Sequence, residues 1–309
     1  MSIINGVDMS VTLAGMTMKN PIVVASGTFG FGREYGQFYD LSELGGICCK
    51  GLTLHPREGN PPPRIAETPM GILNSVGLQN PGVDRFIAEE LPELRNHDVK
   101  IICNISGNTP EEYGMMCEKL ADAGVDMIEV NVSCPNVKCG GLQYGTVPEL
   151  TAEVTECAKR HAGQVPVIIK LSPNVTGITL IAKAVEDAGA DGVSLINTLR
   201  GMRIDVNTHR PILKMNTGGL SGPAVLPVAV RMVWEVAQTV KIPILGMGGV
   251  AKGEDAAQML LAGAAAVAVG TACFADPYAP LRTRDELAAL CAAQGLTSVT
   301  QLTGAVQPW

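Results

Sequence analysis

Ala121-Asp122-Ala123-Gly124-Val125-Asp126-Met127-Ile128-Glu129-Val130 compresses a helix end, a glycine stop and an apolar strand into one short phrase. The phrase returns as Glu186-Asp187-Ala188-Gly189-Ala190-Asp191-Gly192-Val193-Ser194-Leu195 and again as Leu260-Leu261-Ala262-Gly263-Ala264-Ala265-Ala266-Val267-Ala268-Val269. Glycine has no Cβ and takes the left-handed conformation that closes a helix. The apolar run that follows is too short for a helix and reads as a buried strand. Each copy is therefore a helix-to-strand joint.

Other short apolar runs extend the pattern to candidate strands near 22–25, 46–50, 100–104, 126–131, 166–171, 192–197, 242–247 and 265–270. Helical stretches lie between them, among them Pro110 to Ala123, Pro148 to His161, Thr176 to Ala188 and Pro223 to Val240. Eight parallel strands with intervening helices predict an α/β protein of the (β/α)8 TIM-barrel class, one unit running over residues 1–309. A doubly wound sheet is the alternative, but the glycines of Thr28-Phe29-Gly30-Phe31-Gly32-Arg33 lack the spacing of a dinucleotide fingerprint. Val11-Thr12-Leu13-Ala14-Gly15-Met16-Thr17-Met18 reads as a small N-terminal hairpin at the barrel floor.

Composition narrows the function classes. With 23 basic and 30 acidic residues the net charge is -7, which argues against general affinity for nucleic acid or anionic membrane. Nine cysteines without a CxxC pair, and an N-terminus without signal-peptide character, predict free thiols in a cytoplasmic protein. Ala256 to Ala275 carries no charge, yet its glycines and flanking aspartates favour a helix running into a buried strand over a membrane span. His55, His97, His161 and His209 show no metal-ligand spacing.

A barrel gathers its chemistry where strands end in their C-terminal loops. Here the strand ends carry Lys50-Gly51, Asn104, Asn131, Lys170, Asn197-Thr198, Gly248-Gly249 and Gly270-Thr271, and Cys134 follows Asn131 closely. Any one has a plain structural explanation: a lysine with a snorkelling stem, an asparagine satisfying a loop, a cysteine filling the core. Their convergence on one end of separate strands favours a site. Bare glycine amides after the last two strands suit a phosphate, and tight turns are the competing reading. Three carboxamides suit a planar imide- or urea-like ring, and two lysines suit a carboxylate and an electron-rich cofactor ring. Cys134 is the best-placed acid, base or nucleophile; a thiol of pKa about 8.5 predicts activity rising in the mildly alkaline range.

Asn131-Val132-Ser133-Cys134-Pro135-Asn136, Asn74-Ser75-Val76-Gly77-Leu78-Gln79-Asn80-Pro81-Gly82, Lys170-Leu171-Ser172-Pro173-Asn174 and Ile196-Asn197-Thr198 together resemble class 1 dihydroorotate dehydrogenase. Lys50-Gly51-Leu52-Thr53-Leu54, the run from Pro56 to Arg64 and Thr217-Gly218-Gly219-Leu220-Ser221-Gly222-Pro223-Ala224 resemble its type B, NAD-linked catalytic subunit. The resemblance implies an FMN barrel that oxidises dihydroorotate to orotate in pyrimidine biosynthesis. Cys134 would take the C5 proton as hydride leaves C6 for flavin N5. Lys50, Asn74, Ser75, Val76, Gly77, Leu78, Asn131, Asn197 and Thr198 would hold substrate. Ser26, Lys50, Gly51, Asn104, Asn131, Lys170, Ile196, Gly222, Gly248, Gly249, Gly270 and Thr271 would hold FMN. The membrane-linked class uses serine as base and an N-terminal helical extension, which this pattern disfavours.

Strand parity places Glu129 inside the barrel beside Asn131, where a buried carboxylate needs Lys50 or Lys170 nearby. The loop from Val132 to Gly145, rich in glycine and carrying the base, is expected to act as a lid. Other readings remain: the related FMN barrel of dihydropyrimidine dehydrogenase acting on uracil or thymine, a flavin-free sugar-phosphate lyase or isomerase, acyl transfer through Cys134, and an inactive scaffold.

The resemblance also implies a heterotetramer: a homodimer of this chain flanked by two electron-transfer subunits carrying FAD and a 2Fe-2S cluster. No cysteine quartet with ferredoxin-like spacing and no Rossmann turn is found in this sequence. The purified, flavin-loaded chain is therefore expected to reduce artificial acceptors but not NAD, and steady NADH production by it alone would refute that division of labour.

Overall fold

The computed structural model describes residues 2–132 and 144–309. Eight parallel strands close on one another: β1 (Ile22–Val24), β2 (Gly46–Cys48), β3 (Lys100–Ile105), β4 (Met127–Asn131), β5 (Val167–Lys170), β6 (Gly192–Leu195), β7 (Ile244–Met247) and β8 (Ala266–Val269). Neighbours in sequence are neighbours in space, and β8 returns to β1 through the Val267–Ile22, Ala268–Val23 and Val269–Val24 register. This is the (β/α)8 barrel that the periodicity predicts. The strands are buried on both faces, which is why they read as largely apolar runs, interrupted mainly by the inward polar residues Asn104, Glu129, Asn131, Lys170 and Ser194.

Helices α1 (Pro110–Asp122), α2 (Pro148–His161), α3 (Ile178–Asp187), α4 (Leu226–Ala237), α5 (Gly253–Leu261) and α6 (Ala279–Ala293) form the outer layer. The three joints share one geometry. Gly124, Gly189 and Gly263 sit at φ 70°, 87° and 117°. In each, the next amide reaches back over the last turn: Val125 N to Leu120 O (3.3 Å), Ala190 N to Val185 O (3.2 Å) and Ala264 N to Met259 O (3.0 Å). That is the Schellman closure, and it satisfies helix carbonyls that would otherwise be orphaned. The aspartates after the first two joints serve the adjoining strand. Asp126 accepts from Ile101 N and Lys100 Nζ, both at 2.9 Å, and Asp191 accepts from Val167 N (2.7 Å) and Lys159 Nζ (2.5 Å).

The connection from β1 to β2 departs from the repeat. In place of a helix it uses 3-10 turns at Tyr35–Gln37 and Leu41–Glu43. Gly30 and Gly32, at φ 60° and 91°, break a continuous α-helix there. The helix expected over Pro223 to Val240 begins as a 3-10 turn, Pro223–Val225, and ends at Ala237. The uncharged stretch from Ala256 to Ala275 resolves into the end of α5, strand β8 and the short helix Ala272–Ala275. Among the described residues no helix is long and apolar enough to cross a membrane.

The N-terminal hairpin pairs Val11–Leu13 with Met16–Met18. Its Leu13 and Met18 join the main core, and a Cβ built on Gly46 at the start of β2 would lie 3.5 Å from Met18 Sδ, so the hairpin lies at the floor. A smaller hairpin, Ile3–Ile4 with Val7–Asp8, turns at Asn5-Gly6; the Asn-Gly pair signals such a turn, but strands this short escape a periodicity reading. A four-stranded antiparallel sheet was equally hidden. It orders Leu199–Gly201, Gly218–Ser221, Gly71–Asn74 and Ile65–Thr68 side by side, built from the loops after β2 and β6.

Gly45 donates its amide to Ile22 O at 2.9 Å, just before β2 pairs with β1, and a Cβ there would fall 2.0 Å from Asn20 O. Gly45→Ala is expected to destabilise the barrel by about 1–3 kcal/mol through forced backbone movement; an unchanged thermal melt would contradict this packing.

Candidate active site

The rim where strands end collects the residues singled out by sequence. Asn104 and Lys170 close β3 and β5, Asn131 ends β4, Lys50 and Gly51 follow β2, and Asn197 and Thr198 follow β6. Register explains the convergence: Glu129 faces Asn104, and Asn131 faces Lys170. With period-2 alternation, Glu129 and Asn131 both point inward.

Glu129 is completely buried, and side chains from four other strands turn to it. Ser194 Oγ donates to Oε1 at 2.6 Å. Asn104 Nδ2 (2.5 Å), the Cys48 thiol (3.2 Å) and Lys170 Nζ (3.4 Å) all approach Oε2. Burial pushes this carboxyl up, but the Lys170 charge and the bonds from Ser194, Asn104 and Cys48 outweigh it and hold the group below the ordinary carboxylate range. Burial, then the nearby Glu129 charge, drives the Cys48 thiol well above its usual value, so it stays a donor. The expectation that a lysine would meet Glu129 is met by Lys170.

Above this layer the polar groups order one another. Asn197 Nδ2 donates to Asn131 Oδ1 at 3.3 Å, and Asn197 Oδ1 accepts from Thr198 N at 2.7 Å. Asn174 Nδ2 holds Thr198 O at 2.9 Å. Tyr113, a buried residue of α1, donates to Asn131 O at 3.1 Å. Asn74 enters from the four-stranded sheet, donating to Gly219 O at 3.4 Å. Ser75, Val76, Gly77 and Leu78 continue from it, with Gly77 and Leu78 at φ 77° and 57°. Asn60 clasps that turn through Val76 O and Ser75 O, both at 2.9 Å.

On the opposite side, Gly248 and Gly249 have φ 123° and 82°. A Cβ on either would strike Ala229 or Leu226 within 2.8 Å, so packing against α4 demands glycine at both positions. The turn explanation therefore holds for this pair, whatever else it binds. Gly270 differs: a Cβ there would make only an ordinary 3.4 Å contact with Ala25. Thr271 Oγ1 donates to Ser221 Oγ at 2.8 Å, linking the β8 end to the segment before Gly222. The half-buried Ser26 follows β1, and the buried Ile196 follows β6.

Cys134, Cys139 and nearly all of the expected lid lie outside the described residues. The seven other cysteines are free and buried. Cys48 and Ser194, unnamed at the sequence level, belong to the site's foundation; strand parity with Lys50 and with Ile196 was the available signal, but their partner across the barrel was not visible. Among the described residues no three His, Cys, Asp or Glu side chains form a group that could hold a metal ion.

A closed parallel barrel that carries Lys50, Asn131 and Asn197 at the C-terminal ends of its strands, above a buried polar layer around Glu129, defines a barrel-enzyme architecture. The family model for dihydroorotate dehydrogenase matches residues 8–291. The dihydroorotate dehydrogenase B (NAD(+)) catalytic subunit of Anoxybacillus flavithermus is 55% identical over 297 residues, covering 96% of this chain and 95% of that protein. The subunits of the same description from Geobacillus kaustophilus (55%, with the same coverage) and Geobacter sp. strain M21 (52%, covering 97% and 98%) agree. The chain belongs to the dihydroorotate dehydrogenase family of oxidoreductases.

The buried ion pair yields a test with a definite sign. Lys170→Met leaves an unpaired carboxylate in the barrel and should cost about 3–5 kcal/mol near neutral pH. In the wild type the lowered Glu129 pKa gives stability that is complete above the unfolded value of about 4.3 and fades as pH falls through the native value. In the variant the Lys170 charge no longer lowers that pKa, while burial still raises it and three hydrogen bonds still lower it, so the pKa sits above its wild-type value and the variant gains less stability than wild type as pH rises. The gap between the two melting temperatures should therefore widen with increasing pH; a gap independent of pH would show that Glu129 is not charged in the folded protein.

Proposed function

We propose that this chain oxidises (S)-dihydroorotate to orotate for pyrimidine (UMP) synthesis as the FMN-binding catalytic subunit of a type B dihydroorotate dehydrogenase, with residues 1–309 forming a single unit. The observation that carries the reading is full-length similarity to three such subunits, together with a rim of amides and one buried ammonium at the strand ends. In this reading electrons leave through a partner subunit carrying FAD and a 2Fe-2S cluster and reach NAD, in a cytoplasmic heterotetramer.

Atoms at the rim suit a flavin. Asn104 Oδ1 is buried and has no hydrogen-bond partner, an acceptor suited to a ring N–H. Lys170, only 5% exposed, supplies fixed positive charge, and Gly270 leaves a backbone approach that no protein packing requires. These features fit FMN, which Ser26, Gly51, Asn104, Lys170 and the glycines after β7 and β8 would hold. When bound, FMN supplies the two-electron acceptor.

The remaining chemistry falls to the chain. Asn131 and Asn197, fixed against each other by their 3.3 Å bond, orient a planar imide-like ring. Asn74, Thr198 and the amides of Gly77 and Leu78 hold the substrate from the sheet side, and Lys50 attracts its carboxylate. Cys134 takes the C5 proton as thiolate, which favours mildly alkaline pH.

Anaerobic addition of dihydroorotate to the flavin-loaded chain should bleach the flavin absorbance. Cys134→Ser should retain flavin and bleach about 100-fold or more slowly, because a hydroxyl is the weaker base. Wild type that fails to bleach, or bleaches with dihydrouracil in preference to dihydroorotate, would sink the assignment.

A further inference from the structure

Glu129 takes no part in the steps above, yet it is the hub beneath them. It lies in β4 with no exposure and is met by side chains of β2, β3, β5 and β6. Stability alone is a poor reason for a buried ion pair, since well-packed apolar side chains often serve as well or better. Its effect on its neighbours is more specific.

An ionised carboxylate only accepts hydrogen bonds. Asn104 must therefore turn its Nδ2 toward Glu129, as it does at 2.5 Å. Its Oδ1 is then forced to the other side, buried and without a partner, at a point only 2.7 Å from where a Cβ on Gly51 would sit. A buried carbonyl left unpaired carries a desolvation cost that a ligand N–H removes. Glu129 also places a negative charge 3.4 Å from Lys170 Nζ, which reduces the net field that a ring gaining negative charge would meet.

We propose that Glu129 is a positioning residue for the cofactor ring: it presents the Asn104 carbonyl to a ring N–H and, by offsetting Lys170, sets the reduction potential of the site. This rests on the flavin reading above. Glu129→Gln preserves shape but removes the charge, and its own amide can donate, so Asn104 is free to turn over. Lys170 is then unopposed, the reduced ring is favoured, and the potential rises.

The test uses the FMN-loaded chain. Spectroelectrochemical titration of Glu129→Gln should show the reduction equilibrium shifted by about tenfold toward the reduced form, ~30 mV for a two-electron couple. Glu129→Asp, which keeps the charge, should stay near wild type. Binding supplies a second arm: wild type should hold FMN about tenfold more tightly than N3-methyl FMN, which lacks the N–H donor, and Glu129→Gln should lose most of that discrimination. A Glu129→Gln protein that binds FMN with an unchanged potential overturns the proposal. Should that variant not fold, equal binding of the two flavins by wild type overturns it as well. Wild type that binds no flavin at all would instead overturn the cofactor assignment.

Discussion

All eight barrel strands pair in parallel, so all the carboxyl ends open on one rim and all the amino ends on the other. That single constraint turns residues scattered from Lys50 to Thr271 into neighbours. It rests in turn on the helix-to-strand joints. Each glycine at Gly124, Gly189 and Gly263 stops a helix within one residue and launches the next strand at a set angle, and the aspartates at Asp126 and Asp191 tie that strand's start to the adjacent one. The floor is thereby rigid and repetitive, while the rim is left to vary.

Within that frame, Glu129 is fully buried and dictates what surrounds it. Its neighbours are an ammonium, an amide, a hydroxyl and a thiol, each showing a hydrogen. Nothing in that set accepts in competition, so the orientations of Asn104 and Lys170 are consequences of one carboxylate. In the layer above, Asn131 and Asn197 bond to each other at 3.3 Å. The four-stranded sheet built from the β2 and β6 loops adds a wall that brings Asn74 and Thr198 to the same opening.

Much of this was legible in the chain. The αβ joints carry their own punctuation, so all eight barrel strands and the helix Pro148–His161 could be read from local pattern. Strand-end position flagged Lys50, Asn104, Asn131, Lys170 and Asn197 because parity and termination are local properties. Illegible parts were those made by distant pairing. Gly219 bonds beside Asn74 and Leu220 beside Leu73, a match between short, glycine-rich segments that no periodicity announces. The replacement of a helix by 3-10 turns after β1 follows from glycines that a strand count overlooks.

Sequence by itself determined the barrel, the family and the list of polar groups at the rim, since spacing, caps and motifs are written along the chain. Tertiary structure alone decided which of those groups spend their hydrogen bonds on each other and which remain for a ligand. Gly248 and Gly249 proved to be required by packing against α4, whereas Gly270 is under no such demand. Asn104, a plain strand-end amide in sequence, became an oriented acceptor because a carboxylate on the adjacent strand claims its hydrogens. Hydrogen-bond direction depends on what lies across the barrel, and that is a distance in space with no counterpart along the chain.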